Sequence, residues 1–208
     1  MRRKPTTIEV PRAAAPAVIA KTIARLKAQR AGKAFDYTDP AAFFRDVLGW
    51  TPLPVQVAIA EAVRDYPRVA VCGCNSGGKD ATAGRIALWW IKMHEQEGAK
   101  VIITGPTFRQ VQEIVWREVR AAYYDALRPL GGNMLPREAT WNIRDDCFVL
   151  GFSTDKPYSM QGFHSKHLLI LYTEAHAAEQ ADMDALKRLN PERILLTGNA
   201  LSQEGEFY

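Results

Sequence analysis

Residues 73–79 read Gly73-Cys74-Asn75-Ser76-Gly77-Gly78-Lys79, and this turn restricts the folds open to the chain more than any other stretch. It follows an apolar run at 68–74 and precedes a helical pattern over 79–96, so it joins a strand to a helix. Small residues there let successive backbone N–H groups converge on anionic oxygens, and the helix N-terminus adds its dipole. A lysine closing the turn reaches the outer phosphates of a nucleotide, and the spacing fits G-x-x-x-x-G-K. The candidate nucleotide-binding residues are therefore Gly73, Asn75, Ser76, Gly77, Gly78, Lys79 and Asp80. One position departs from the pattern. The residue after the lysine is ordinarily Ser or Thr, whose hydroxyl ligates Mg2+, and here it is Asp80.

The rest of the chain from residue 68 continues the alternation. Apolar strands are predicted at 68–74, 100–104, 139–144, 147–152, 167–172 and 193–197, with helices at 79–96, 106–127 and 180–189. Strands that are apolar without interruption have both faces covered, so the fold class is α/β, with a largely parallel central sheet and helices on both faces. Upstream, 16–33 reads as a helix, Asp39-Pro40 caps a short helix carrying Phe43, Phe44, Val47 and Leu48 on one face, and 55–65 forms another. Trp89, Trp90 and Trp116 read as packing aromatics. Cys72, Cys74 and Cys147 fit no zinc spacing, and the strand at 68–74 predicts that Cys72 and Cys74 are buried free thiols. Residues 1–34 hold nine Lys/Arg against Glu9 alone, within a chain of net charge +4. The division expected is a basic arm or helix over 1–40 and a single domain over 41–208. The basic arm suggests an anionic partner. No run approaches the ~18 apolar residues that cross a membrane, and the N-terminal segment lacks the pattern of a leader.

A nucleotide-hydrolysing site needs a carboxylate near Mg2+ and another that orients or deprotonates the attacking water. Both usually stand at the end of a buried strand beside the one that enters the phosphate turn. Here that strand reads Leu168-Leu169-Ile170-Leu171-Tyr172, followed by Thr173-Glu174 where Asp-Glu is the usual ending. Glu174 takes the catalytic position together with Lys79. The two departures are complementary: a carboxylate (Asp80) stands where a hydroxyl is usual, and a hydroxyl (Thr173) where a carboxylate is usual. Either the two have exchanged roles around Mg2+, or the metal site is altered and hydrolysis weak. His164 and His176 receive no chemical role from the sequence.

With these elements placed, the remaining landmarks resemble the N-terminal ATPase domain of phage large terminase subunits, a RecA-like P-loop NTPase of the ASCE class. Leu53-Pro54-Val55-Gln56 is similar to the adenine-recognising segment, with Gln56 the purine contact. Val101-Ile102-Ile103-Thr104-Gly105-Pro106-Thr107 resembles the second strand and its exit. Ser159-Met160-Gln161-Gly162-Phe163-His164-Ser165 precedes the acidic strand as in that family. Thr197-Gly198-Asn199 looks like the coupling motif that senses the γ-phosphate, and Gly205-Glu206-Phe207-Tyr208 resembles the glycine–aromatic segment beyond it. The resemblance spans residues 41–208. It implies ATP and Mg2+ as cofactors, with Asp80 and Thr173 at the metal. Double-stranded DNA, a portal protein and a small terminase subunit are the implied partners, with a homo-oligomeric ring as the active form and the host cytoplasm as its place. It also implies an arginine near Asn75 that this chain lacks, leaving Arg109, Arg137 and Arg144 as candidates, or a neighbouring subunit. The C-terminal nuclease domain of the family is absent from this chain, so no DNA cleavage is expected of it.

Two other readings share these residues. Thr173-Glu174-Ala175-His176 is one residue from the D-E-A-H box of superfamily 2 helicases, whose lobes also carry a glutamine motif. A nucleotide-gated assembly module with little turnover accounts for Asp80 and Thr173 without any exchange.

Overall fold

A run such as Leu168-Leu169-Ile170-Leu171 is stable as a strand only with both faces covered, and the computed structural model, which describes residues 35–73, 77–153 and 163–199, shows how this is done. The strands in chain order are β1 (Arg68–Cys72), β2 (Ala99–Thr104), β3 (Asn133–Met134), β4 (Thr140–Arg144), β5 (Cys147–Gly151), β6 (His167–Tyr172) and β7 (Arg193–Gly198). They form one sheet in the order β1-β7-β6-β2-β5-β4-β3. The first five in that order are mutually parallel, and the hairpin β4-β5 with β3 adds an antiparallel edge. All six residues of β6 are buried.

The helices are α1 (Pro40–Ala42), which widens into a π-helical turn at Phe43–Val47, α2 (Pro54–Asp65), α3 (Lys79–Met93), α4 (Phe108–Gln110), a second π-helical turn at Val111–Val115, α5 (Trp116–Tyr124) and α6 (Gln180–Arg188). Asp39 caps α1, its carboxylate accepting from the Ala41 and Ala42 amides, and Thr107 caps α4 by accepting from Gln110 N–H. Side chains alternate across a strand, so β6 serves two layers. Leu168, Ile170 and Tyr172 pack with Ile102, Ile194 and the α6 residues Met183 and Leu186. α3, whose buried residues include Ala83, Ile86, Leu88, Trp89, Trp90 and Ile91, packs on α5 and against β2 and β6. The three tryptophans expected to pack are all buried. Contacts divide the chain after Asp36, and the unit 37–208 holds every element above.

Two expectations change. β7 lies between β1 and β6, so the acidic strand is not the neighbour of the strand entering the phosphate turn. The reason is pairing: β1 and β6 both bond to β7, and hydrophobic pattern does not encode sheet order. Second, β1 is not a buried strand. Its residues alternate between exposed and half-buried, because among the described residues β1 pairs only with β7. Cys72 is consequently exposed, whereas Cys147 is buried; Cys74 lies outside the described residues, as do the N-terminal helix at 16–33 and most of the basic arm.

α3 and α5 approach so closely at Gly84 that a Cβ there would lie 2.9 Å from the Val119 backbone nitrogen and 3.2 Å from the Glu118 carbonyl carbon. Backbone cannot yield as a flexible side chain does. Gly84→Ala gains up to about 1 kcal/mol of helix propensity and loses about 1–3 kcal/mol to overpacking. We expect a net loss of about 1–2 kcal/mol in urea unfolding. A rise in stability would mean that the two helices are not in backbone contact.

Candidate active site

Every parallel strand here ends at the same edge of the sheet, and ligands in such sheets bind beyond the carboxyl ends of the strands. Four chain ends meet at that edge. β1 leads to Gly73, whose N–H donates to the Gly198 carbonyl at the end of β7 (3.1 Å), and Thr173, just past β6, donates its N–H to the Thr104 carbonyl at the end of β2 (2.9 Å). The phosphate turn re-enters the described residues at Gly77 and Gly78. Asn75 and Ser76 lie outside them.

Gly78 is the residue before α3 and adopts φ +74, a left-handed conformation that glycine alone takes freely. A Cβ at Gly78 would also meet the Gln56 side-chain amide nitrogen at 2.6 Å. Gln56 is buried, and its Oε1 accepts from Leu53 N–H at 2.8 Å, closing the N-terminal turn of α2. The structure thus brings Gln56 against the phosphate turn. Thr82 braces the same turn, its hydroxyl donating to the Gly78 carbonyl at 2.8 Å.

Lys79 begins α3. Its ammonium donates to the Gly73 carbonyl (3.0 Å) and to Asn199 Oδ1 (3.1 Å). Asp80, in the first turn of the helix, accepts from the Thr173 hydroxyl at 3.2 Å. The two residues that depart from the usual pattern, 93 positions apart in the chain, are therefore in direct contact. Thr173 is buried and is seated against Gly105, where a Cβ would come within 2.8 Å of its methyl group and 3.1 Å of its carbonyl oxygen.

Glu174 leaves the sheet with φ 53 and ψ 41, a left-handed backbone on a non-glycine residue. Its carboxylate lies 3.3 Å from His176 Nδ1, the side chains being 21% and 16% exposed. The same His176 nitrogen lies 3.4 Å from the backbone nitrogen of Asn199. One ring nitrogen either carries a proton or accepts one, so His176 can donate to Glu174 or accept from Asn199, and not both at once. A chain of polar contacts therefore crosses the site from Lys79 through Asn199 and His176 to Glu174. The sequence reading gave His176 no role. The available signal was its place two residues after Glu174, within the single turn at Ala175–Ala177.

Of the residues expected to form the coupling motif, Thr197 is buried, Gly198 ends β7 beside Cys72, and Asn199 contacts Lys79. Of the candidate arginines, Arg109 is exposed in α4, just beyond the carboxyl end of β2, and Arg137 is exposed before β4. Arg144 belongs to the opposite edge, where it pairs with Asp146 beside the start of β5. The segments at 159–162 and 205–208 lie outside the described residues; of the former landmark, Phe163 packs on Phe152 with ring centroids 6.0 Å apart.

No protein-family model and no curated protein matches the sequence. Solved structures do. The chain is similar to the large terminase ATPase domain of Thermus phage P74-26, with a TM-score of 0.59 and 19% identity over 82% of this chain and 73% of that one. It is also similar to the large terminase of bacteriophage HK97, with a TM-score of 0.60 and 16% identity over 80% of this chain and 38% of that one. The chain thus spans well under half of the HK97 subunit. The resemblance drawn from the sequence is matched in three dimensions, and what is shared at these identities is the fold.

A left-handed backbone costs an L-residue about 1–2 kcal/mol and costs glycine nothing comparable. Comparing Glu174→Gly with Glu174→Ala isolates this strain, because both variants remove the side chain. The glycine variant should be the more stable by about 1 kcal/mol in chemical denaturation. An alanine variant of equal or greater stability would place Glu174 in ordinary backbone.

Proposed function

We propose that the chain is an ATPase whose hydrolytic cycle drives double-stranded DNA movement, as the motor domain of a large-terminase-type packaging machine. The observation that carries this reading is the convergence of Lys79, the Asp80–Thr173 pair, Glu174 and Asn199 on one edge of a sheet whose fold is that of phage large terminase ATPase domains.

The chemistry is positioning and charge neutralisation. Lys79 and the N–H groups at the start of α3 bind the β- and γ-phosphates. For this, the Lys79 ammonium exchanges its present partners, Gly73 and Asn199, for phosphate oxygens. Asp80 and Thr173 present a carboxylate and a hydroxyl side by side, hard oxygen donors of the kind Mg2+ takes. That pairing supports the exchange of roles over a silent site. When bound, Mg2+ supplies charge neutralisation of the phosphate oxygens. Glu174 orients and deprotonates the attacking water, and His176 steadies its carboxylate. Gln56, held against Gly78, is the proposed purine contact. Release of Asn199 by Lys79 is the proposed start of coupling, through Thr197-Gly198-Asn199. Double-stranded DNA, a portal protein, a small terminase subunit and a homo-oligomeric ring are the partners that the likeness to large terminases suggests, with the host cytoplasm as their setting. An arginine completing the site then comes from a neighbouring subunit or from Arg109.

The decisive measurement is Mg2+-dependent ATP turnover at high protein concentration, by phosphate release. Glu174→Ala should lower it by about 10²–10⁴-fold, the range for removing a general base. Undiminished turnover in that variant would remove Glu174 from the mechanism. ATP binding without turnover in the unaltered chain would favour the nucleotide-gated assembly module.

A second experiment addresses the metal pair. Asp80→Thr combined with Thr173→Asp should retain turnover, whereas each change alone should impair it, because a single change leaves two hydroxyls or two carboxylates at the site. Single variants that hydrolyse faster than the unaltered chain would overturn the exchange.

A further inference from the structure

The helix and strand that carry Lys79 and Glu174 have opposite ends, and those ends also meet. His94 caps α3 at its carboxyl end, and His167 opens β6. Glu97 follows His94 by one tight turn, its N–H donating to the His94 carbonyl at 3.1 Å. Gly98, with φ +82, then turns the chain into β2, where Ala99 pairs with His167. Ligand atoms of His94, Glu97 and His167 all lie within 4.8 Å of one another. The two imidazole rings stack, with centroids 3.8 Å apart and planes 12° apart. Trp90 walls the cluster, its ring centroid 4.6 Å from that of His94 and its Nε1 donating to the His167 carbonyl at 3.2 Å.

The hydrogen bonding of this cluster is incomplete in two places. His94 Nε2 is buried and has no hydrogen-bond partner, a condition rare and costly for a buried polar atom. His167 stands between two carboxylates, with Nδ1 2.8 Å from Glu192 Oε2 and Nε2 3.3 Å from Glu97 Oε2. A neutral imidazole has one N–H. If it is given to Glu192, the lone pair of Nε2 faces a carboxylate with nothing between them. A second proton or a bound cation resolves that opposition, and a cation held by His94 Nε2 would at the same time give that atom a partner.

We propose that His94, Glu97 and His167 form a binding site for a divalent transition metal of the zinc class, with Glu192 orienting His167 from behind. Two imidazole nitrogens and one carboxylate are a donor set suited to Zn2+, whereas Mg2+ and Ca2+ take oxygens. A metal-bound histidine characteristically donates its other N–H to a carboxylate, as His167 is placed to do with Glu192. Burial, with His167 as the second cause, lowers the His94 pKa to about 4, so its lone pair is available at neutral pH. Hydrogen bonding, chiefly from Lys166, holds the Glu97 carboxyl down to about 2.

Binding needs two adjustments. The ring planes are nearly parallel, so one ring must rotate for two nitrogens to converge on a single ion. Lys166, which pairs with Glu97, must swing away. Its side chain is 72% exposed, and an exposed ion pair of this kind contributes little, so its loss is a small obstacle. The bound metal would clamp the carboxyl end of α3 to the amino end of β6, the elements whose other ends hold Lys79 and Glu174.

The test uses the full chain without nucleotide. Zn2+ binding is measured by titration calorimetry, and Co2+ is used as a spectroscopic probe of the ligand set. One metal ion per chain is expected, with Co2+ d–d bands and no near-ultraviolet thiolate band of the kind a cysteine ligand would add. Glu192→Gln should weaken binding by about 10–100-fold, the effect usual for an outer partner of a metal-bound histidine. His94→Ala should abolish it, and Glu97→Gln, an isosteric change at an exposed side chain that leaves the fold intact, should weaken it at least tenfold. Zn2+ should raise the melting temperature of the unaltered chain and not that of His94→Ala. No saturable binding, a thiolate band, or affinity unchanged in His94→Ala and Glu97→Gln would each overturn the proposal.

Discussion

A strand covered on both faces offers its side chains no solvent until it ends, and β6 runs buried for all six residues. The chain must therefore leave the sheet abruptly, and it does so at Thr173-Glu174. Thr173 can sit in the gap because the neighbouring strand exits through Gly105, which has no Cβ to fill it. Glu174 then turns left-handed, a conformation that tertiary structure must impose on a glutamate. Such strain gathers at functional positions because the surroundings over-determine it. The burial of β6 and the projection of its terminal carboxylate are in this sense one constraint, and the remaining residues of the edge are arranged around it.

The position of β7 gives that edge its wiring. Because β7 lies between β1 and β6, the residue just past its end, Asn199, stands between the lysine of the glycine-rich turn and the turn that carries Glu174. Asn199 accepts from Lys79 through its side chain, and its backbone nitrogen lies 3.4 Å from the His176 nitrogen that also faces Glu174. In the proposed cycle, a phosphate that drew the lysine away would leave Asn199 without its side-chain partner, next to the turn that carries His176 and Glu174. The Asp80–Thr173 contact has a comparable economy. Under the proposed exchange, a carboxylate and a hydroxyl that trade places across one metal position would leave the local charge as it was, so that Lys79 and Glu174 would meet an unchanged field.

What could be read from the chain follows what its code is local to. The uninterrupted apolar run at 168–171 specified a two-sided strand, and Gly73 with Gly78-Lys79 specified a turn between strand and helix. Sheet order is not local. Nothing in 68–72 distinguishes a central strand from one paired on a single side, so Cys72 was expected to be buried and is exposed. The Asp80–Thr173 complementarity was legible because each residue violated a known pattern, although their contact was not. His176 violated none, and its relation to Glu174 depends on a backbone angle. The cluster of His94, Glu97 and His167 was invisible for the same reason as the sheet order: its members are assembled by the pairing of Ala99 with His167.

That pairing also bears on how a single helix can serve two sites. α3 runs from Lys79 to Met93, about 22 Å at 1.5 Å per residue, and it is buried along most of its length between α5 and the sheet. A closely packed helix moves as a rigid unit, because interiors at crystal-like density do not absorb displacement locally. Gly84 presses α3 against the α5 backbone within its amino-terminal half, which leaves the ends as the places where small shifts can be expressed. At the amino end, Lys79 and Asp80 contact Asn199 and Thr173. At the carboxyl end, His94 stacks on His167. Both contacts return to the same strand or its neighbour, so the proposed metal would hold the helix at the end opposite the proposed nucleotide site. A clamp there would confine any movement of α3 that accompanied the proposed nucleotide cycle to its amino end, where Lys79, Asn199 and Glu174 are gathered.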